Sequence, residues 1–490
     1  MIDLLVIGGG INGAGIARDA AGRGLAVTLV ERDDLAAATS SWSSKLIHGG
    51  LRYLEQYEFR LVREALQERE VLLRLAPHII RPLRFVLPHV PEMRPAWMIR
   101  AGMLLYDHLG GRISLPGSRM VAFPDEEYSA GLKPGFERGY LYSDCRVDDS
   151  RLTVINAMSA RDKGATILTR TRFEHAKRVE GGWEAIVAGP DGGQRVIRAR
   201  GIVNAAGPWV MDALARIPEQ KVPGGVRLVK GSHVIVPRVH DREHALILQN
   251  PDKRVIFVIP YEGRFSLIGT TDVAVSGTEA ARRITDDEAD YLMASVNRYL
   301  ARPLSRGDVV SSYAGVRPLY DDGSPNPSEI TRDYVLRVDH EDGGAPLLSI
   351  FGGKITTYRR LAEEAMQKLA PFFPAAKGEW TRNEVLPGGA IGEPAAFHEK
   401  MRARYAGIDA SLLEGVLHRH GSNAQSILGE ARQDADLGKH FGAGLTEAEI
   451  AWLRGQEWAV SAEDILWRRT RCGLHMDGAS REAVRTFVGR

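Results

Sequence analysis

Cysteine is scarce. The 490-residue chain has two, Cys145 and Cys472, far apart and outside any CxxC or Cys/His cluster, so nothing signals a zinc site or a disulfide framework, and a reducing compartment suits it. An excess of one charge is missing too: 64 Lys and Arg against 62 Asp and Glu leave a net charge of +2, so bulk charge does not recruit nucleic acid. No uninterrupted apolar run reaches the roughly 20 residues needed to span a bilayer. The first residues pass directly into a strand pattern, with no room for a charged and apolar leader, so the expectation is a protein that is not exported and that meets a membrane only at its surface. Internal repeats and low-complexity segments are also absent. At 44% apolar and 26% charged, the composition is that of a folded protein, and its length asks for two or three domains.

What is present begins at once. Ile2 to Ile7 is an apolar strand that runs into Gly8-x-Gly10-x-x-Gly13; a helix pattern follows, and a second apolar strand, Leu25 to Val30, ends on Glu31. This is a complete dinucleotide-binding βαβ unit. Gly8 permits the tight turn, Gly10 lets backbone approach a pyrophosphate, and Gly13 lets helix and strand pack closely. The helix N-terminus supplies N–H donors and the positive end of its dipole, and Glu31 can accept bonds from ribose hydroxyls.

Further along, Ala36 to Lys45 is rich in Ser and Thr and leads into Leu46-Ile-His-Gly-Gly-Leu-Arg-Tyr53. It reads either as a solvated loop or as backbone and hydroxyl contacts along a long cofactor. Phe59 to Leu75 has helical apolar spacing. Repeated prolines from Pro77 to Pro95 break the chain, and within and after them Arg81, Arg84, Arg94, Arg100 and Arg112 alternate with Phe85, Trp97, Met103, Leu104, Leu105 and Tyr106. Pro95 to Leu109 reads as a helix with a broad apolar face and basic flanks, which suits either a buried helix or one lying in a membrane interface. Ile202 to Gly207 ends a small apolar strand on Ala-Ala-Gly, either a plain turn or a second approach to the cofactor. Residues 227–267 are strand-rich and form a second, inserted domain. Leu347 to Tyr358 returns as strand, Gly352-Gly353 and helix, able to aim another helix N-terminus at the cofactor. From about Pro394 the chain is a series of helices without a catalytic constellation.

Taken together, the N-terminal Gly motif, Ser43-Ser-Lys-Leu-Ile-His-Gly-Gly-Leu-Arg-Tyr53, Lys230-Gly-Ser-His233, Gly269-Thr-Thr-Asp272, Gly315-Val-Arg-Pro318, Ile330-Thr-Arg-Asp-Tyr334 and Phe351-Gly-Gly-Lys-Ile-Thr-Thr-Tyr358 resemble the aerobic, FAD-dependent sn-glycerol-3-phosphate dehydrogenases of the D-amino-acid-oxidase-like superfamily. The likeness runs from Met1 to about Arg471. It implies an α/β fold: a Rossmann-like FAD-binding domain (1–75, 140–230 and 330–382), an inserted β-rich substrate domain with a membrane-facing segment (76–139 and 231–329), and a C-terminal all-helical domain (383–490). It implies FAD as cofactor, sn-glycerol 3-phosphate as substrate, a membrane quinone as electron acceptor, a peripheral position on the cytoplasmic face of the inner membrane, and a homodimer. Carried over by position, the cofactor residues are Gly8, Gly10, Gly13 and Glu31 at the ADP half, with Ser44, Lys45, His48, Gly49, Gly50, Ala206, Gly207, Gly353 and Thr356 nearer the flavin. The substrate residues are Arg52, Tyr53, His233, Thr270, Arg317, Arg332 and Lys354.

The implied chemistry moves a hydride from C2 of the substrate to the flavin and a proton from its hydroxyl. Arg suits the phosphate through its planar fork of donors, so Arg317 and Arg332, assisted by Arg52, are expected to clamp it. Each would otherwise be an ordinary surface ion pair. His233 is the expected base, because its unperturbed pKa lets it accept a proton at neutral pH; Lys354 is assigned to developing negative charge. A glycerol-3-phosphate oxidase using O2, an amino-acid oxidase of the same superfamily and a flavin-binding regulatory protein without turnover are the alternatives.

Overall fold

The computed structural model describes residues 1–90, 94–111, 114–123, 127–218, 220–252, 254–321, 333–340 and 344–489. Ile2–Ile7 is buried from Leu4 to Val6 and runs parallel between Val27–Val30 and Gln194–Asn204. A strand buried on both faces reads as a continuous apolar run rather than an alternating one, as in parallel sheets. The sheet continues in the order Val335–Asp339, Leu347–Phe351, Gln194–Asn204, Ile2–Ile7, Val27–Val30, Thr166–Leu168, with the hairpin Arg172–Val179 and Gly182–Ala188 attached to the Gln194 strand. Helices Ile11–Gly22, Asp149–Asp162 and Tyr358–Leu369 cover one face.

A second, ten-stranded sheet forms the other half of the body. Its long central strand, Gly225–Pro237, pairs antiparallel with Ser311–Asp321 on one side and with Phe265–Gly269 and Val273–Val275 on the other. Farther along the sheet, Ile80–Pro88 pairs with Arg138–Val147, which pairs in turn with Leu46–Ile47. The chain therefore leaves the second sheet at Val147 rather than near 140 and re-enters it at Gly225 rather than 231, and residues 46–47, expected in the first domain, lie at this sheet's end. The reason is register: Leu46 faces Arg146 and Ile47 faces Cys145, so the Ser-rich segment leads from one sheet into the other.

Phe59–Leu75 buries Leu61, Val62, Ala65, Leu66, Val71, Leu72 and Leu75, and Ala96–Leu109 packs against the second sheet through Met103 and Tyr106. The C-terminal part is helical apart from a two-stranded ribbon, His440–Gly442 with Leu445–Thr446. Buried ion pairs dock it onto the first domain: Arg469 is bidentate to Asp34 at 2.8 Å, and Arg151 pairs with Glu457; within the C-terminal part Arg419 is bidentate to Glu449 at 2.6 and 2.7 Å. No helix among the described residues is long and apolar enough to cross a membrane.

Candidate active site

The adenosine end is made of backbone. Gly8 has φ +109°, and a Cβ there would lie 2.6 Å from the carbonyl oxygen of Ala205; a Cβ on Gly13 would fall on the carbonyl oxygen of Gly8. Contact thus requires both glycines, and at Gly8 conformation does too. Helix Ile11–Gly22 starts with no side-chain cap and no acid in its first turn, and Ser40 Oγ accepts the Ile11 N–H at 2.9 Å. The remaining donors and the dipole end are available to a phosphate. Glu31 ends the second strand, accepts bonds from Gly9 N at 2.6 Å and Asp33 N at 2.8 Å, and is held above the usual carboxylate range by burial. These groups line a cavity of about 460 Å³ that runs past Ala205, Ala206 and Gly207 to Trp209, over whose ring Arg32 lies at 4.2 Å.

The second and third approaches to this cleft meet at Asn12. Its Nδ2 donates to Gly352 O at 3.1 Å, its Oδ1 is buried without a partner among the described residues, and a Cβ on Gly353, at φ +105°, would lie 2.7 Å from Nδ2. Thr356 Oγ1 accepts the His48 N–H at 3.3 Å, which ties the 352–357 turn to the Ser-rich segment. Gly50 has φ +74°, and a Cβ there would strike the Tyr53 ring. A bare helix start, backbone approached from three directions and an orphaned amide oxygen suit a long dinucleotide such as FAD, held by Gly8, Gly10, Gly13 and Glu31 at one end and by Ala206, Gly207, Gly353 and Thr356 farther along.

The substrate end is made of side chains. The pairing register sets His233 beside Gly269 and Tyr313, and Arg317 beside Val229. His233 stacks on Tyr313 with ring centroids 4.9 Å apart. Its Nε2 is 2.9 Å from Ser44 Oγ, whereas Nδ1 is buried without a partner among the described residues. Burial, then the charges of Lys45 and Arg317, push its pKa down to about 3. Arg317 and Thr270 converge across Gly231, whose Cβ position lies 2.6 Å from Thr270 Oγ1 and 3.5 Å from Arg317 Nη2. Arg317 is half-exposed and pairs with Asp272 at 2.9 Å. Lys354 Nζ stands 3.9 Å over the Tyr53 ring, and its charge, after burial, helps lower the pKa of His48. Arg52 lies on the same short helical stretch as Tyr53; among the described residues it makes no hydrogen bond or ion pair. Arg332 lies outside the described residues.

Lys45, expected near the flavin, spends its ammonium on Asp149 at 2.8 Å and on Ser41 O at 2.8 Å. Burial, then Arg471, lowers its pKa to about 8. Burial alone would raise the Asp149 carboxyl, but Lys45 and Arg471 hold it at about 2. Sequence reasoning missed Asn12, Asp149, Asp272, Tyr313 and Arg471. Arg471 is in the C-terminal domain, where no catalytic constellation was evident and packing or association was the default role, yet its guanidinium reaches Asp149 at 2.8 Å. Only the neighbouring motifs could have pointed to Asp272 and Asn12; nothing in the sequence marked the others.

Residues 3–359 match the family described as FAD dependent oxidoreductase, and residues 380–489 match the C-terminal domain of alpha-glycerophosphate oxidase. The chain is 52% identical to the D-erythritol 1-phosphate dehydrogenase of Brucella abortus, over 98% of this chain and 96% of that one. It is also 52% identical to the aerobic glycerol-3-phosphate dehydrogenase of Escherichia coli, over 99% and 97%. Among solved structures, the glycerol-3-phosphate dehydrogenase of Bacillus halodurans complexed with FAD superposes with a TM-score of 0.75 at 27% identity, over 100% of this chain and 94% of that one. The resemblance carried by the motifs thus holds along nearly the whole chain, past Arg471, and the chain belongs to the FAD-dependent oxidoreductases, with FAD as its cofactor.

Proposed function

We propose that the protein oxidises sn-glycerol 3-phosphate to dihydroxyacetone phosphate and delivers the electrons to a membrane quinone. The observation that carries this reading is the convergence of Arg317, Thr270 and His233 on one sheet register, beside a stretch that also holds the cofactor turn. Bound FAD supplies the two-electron acceptor for the hydride at C2. Arg317 exchanges Asp272 for the phosphate, a stronger, doubly charged acceptor suited to its fork of donors. That exchange also changes His233. In the free protein His233 is neutral but weakly basic, because burial and two cations oppose its protonation; a dianion beside Arg317 offsets one cation and raises the imidazole's affinity for the hydroxyl proton. Nδ1, which has no protein partner, is the nitrogen available for that proton, while Ser44 fixes Nε2. Lys354 faces the developing negative charge.

Relatives named for glycerol 3-phosphate and for D-erythritol 1-phosphate match equally well, so a longer polyol phosphate is the second reading. Anaerobic mixing of the purified yellow protein with each compound separates the two: bleaching of the flavin by glycerol 3-phosphate at the lower concentration supports the first, and a flavin that only D-erythritol 1-phosphate bleaches supports the second. Peroxide formed in step with turnover, with no quinone reduced, would replace the quinone by O2.

Peripheral docking fits helix Ala96–Leu109. Trp97 is 69%, Leu104 60% and Leu105 41% exposed, and Arg94 and Arg100 flank them on the same segment. Such a face enters one leaflet while its arginines meet anionic headgroups. Sedimentation with anionic vesicles that resists salt and is lost in the Trp97→Ser/Leu104→Ser variant is the expected result; sedimentation equal in the variant would remove the helix from this role.

A further inference from the structure

The helix that presents this apolar face outward also reaches inward, to the loop that carries the flavin-side His48 and the substrate-side Arg52 and Tyr53. Tyr106, 1% exposed, projects from the buried face of Ala96–Leu109. Its hydroxyl donates to Asp144, 2.7 Å from Oδ2 and 3.0 Å from Oδ1, and accepts the backbone N–H of Gly49 at 2.9 Å. Asp144, also 1% exposed, is anchored on the far side by Arg69 Nη1 at 2.8 Å, which in turn holds the neighbouring Ser143 carbonyl at 2.9 Å. Gly49 is enclosed: a Cβ there would lie 2.6 Å from Leu66 Cδ2 and 2.7 Å from the Tyr106 oxygen. Its amide therefore donates to the phenol and, at a longer 3.4 Å, to Asp144 Oδ1, between His48 on one side and Arg52 and Tyr53 on the other.

A buried charge costs several kcal/mol unless it is paired and hydrogen-bonded, and Leu66, Met103, Tyr106 and Tyr142 form the apolar shell around this one. Asp144 could anchor Arg69 without Tyr106, and Tyr106 could fill the core as Phe. The bond that packing does not explain is the one to Gly49. Burial, with Asp144 nearby, raises the Tyr106 pKa well above its ordinary value, so the phenol keeps its proton for Asp144 and offers Gly49 a lone pair.

We propose that Tyr106 and Asp144 are positioning residues for the substrate loop, fixing Gly49 so that His48, Arg52 and Tyr53 are set in register with Lys354 and Thr356. This rests on the substrate-side reading given above, but the loop's order can be measured without any substrate. In the FAD-loaded protein, amide exchange of the segment 46–54 is the first readout. Tyr106→Phe removes only the hydroxyl and leaves Gly49 its longer bond to Asp144 Oδ1 alone; exchange there rises up to roughly 10-fold, the loss expected for one buried hydrogen bond, while melting of the whole protein and flavin content stay close to wild type. Asp144→Asn, which keeps the shape, gives a smaller rise, because the amide can still accept from Tyr106. Exchange of 46–54 that is unchanged in Tyr106→Phe overturns the proposal whatever the substrate is.

The second readout is kinetic. With glycerol 3-phosphate, Tyr106→Phe raises KM about 10-fold and leaves the single-turnover rate at saturating substrate within a factor of about 3, as expected when placement rather than chemistry is lost. A wild-type flavin that glycerol 3-phosphate fails to reduce would count against the substrate and leave the exchange result to judge the loop. A variant in which rate and KM move with melting temperature, and return together on cooling, would make Tyr106 merely structural.

Discussion

The two ends of the cleft are built from different material. At the adenosine end the contacts are backbone: Gly8 against Ala205, Gly13 against Gly8, a bare helix start and one acid held by two N–H groups. At the substrate end they are side chains drawn together by strand pairing, with His233 from one strand, Arg317 from its neighbour, Ser44 from the Ser-rich segment and Lys354 from a turn more than a hundred residues downstream of His233. At Gly8 and Gly13 the first end tolerates almost no added atom. The second tolerates changes of shape but depends on which groups are charged and paired. Substitutions at the two ends should therefore fail in different ways.

The largest expected effect is at the backbone end. Gly13→Val places side-chain atoms on the Gly8 carbonyl, and with no room to yield, helix and strand must separate; overpacking of this kind costs about 1–3 kcal/mol or more. The expected product is colourless or insoluble protein, checked by flavin content and by melting; a yellow Gly13→Val protein of ordinary stability would dissolve the distinction. Next comes His233→Gln, expected to keep FAD and to lose roughly 100- to 10,000-fold in the rate of flavin reduction, the usual worth of a positioned general base. Near-normal single-turnover reduction would remove His233 from proton transfer. The pH profile sharpens the same point: if bound phosphate relieves His233, the acid limb of kcat, which reports the substrate complex, lies at higher pH than that of kcat/KM, which reports the free enzyme. Coincident limbs would show that Arg317 and His233 are not coupled.

Stability should follow a smaller and more gradual dependence. His233 is buried neutral, with its pKa pushed down to about 3. The unfolded chain therefore binds the extra proton first, and stability falls as pH drops below about 6.5, a loss complete near 3. Asp149 and Glu449 act in the same direction, at lower pH. Burial alone would raise both, but Lys45 and Arg471, and Arg419 and His420, hold them at about 2, so their contribution is full above about pH 4.5 and is lost as pH falls toward 2. Urea melts from pH 8 to 3 should show the first decline beginning above pH 5 and flattened in His233→Gln. A decline confined below pH 4 in both proteins would show that His233 is not held neutral.

How far the sequence disclosed this follows from the same contrast. Gly8, Gly10, Gly13 and Glu31 were legible because strand, turn, helix and acid lie within one βαβ unit, where spacing alone fixes geometry. His233, Arg317, Thr270 and Lys354 were reachable only through motif resemblance, since the first three are united by the register of Gly225–Pro237 with its neighbours and Lys354 comes from a turn after Leu347–Phe351 in the other sheet. Lys45 shows the limit of position without partners: it sits in the right motif, but its charge belongs to Asp149. Asp149, Arg471 and Asp144 were invisible because a buried acid or base looks like a solvated one until the chain is folded around it. Residues 140–147 of the strand Arg138–Val147 were misplaced between domains for a related reason: pairing with residues 46–47 and 80–88, not their own composition, decides which sheet they join.

The measurement that bears most directly on this division is made on a single preparation of Arg317→Ala. Its flavin content and its anaerobic reduction by glycerol 3-phosphate are measured side by side with the wild type. The division predicts full FAD occupancy with a KM raised roughly 10- to 100-fold, the loss expected for hydrogen bonds to a charged group. An Arg317→Ala protein that loses its flavin, or one that keeps both flavin and the wild-type KM, would contradict it.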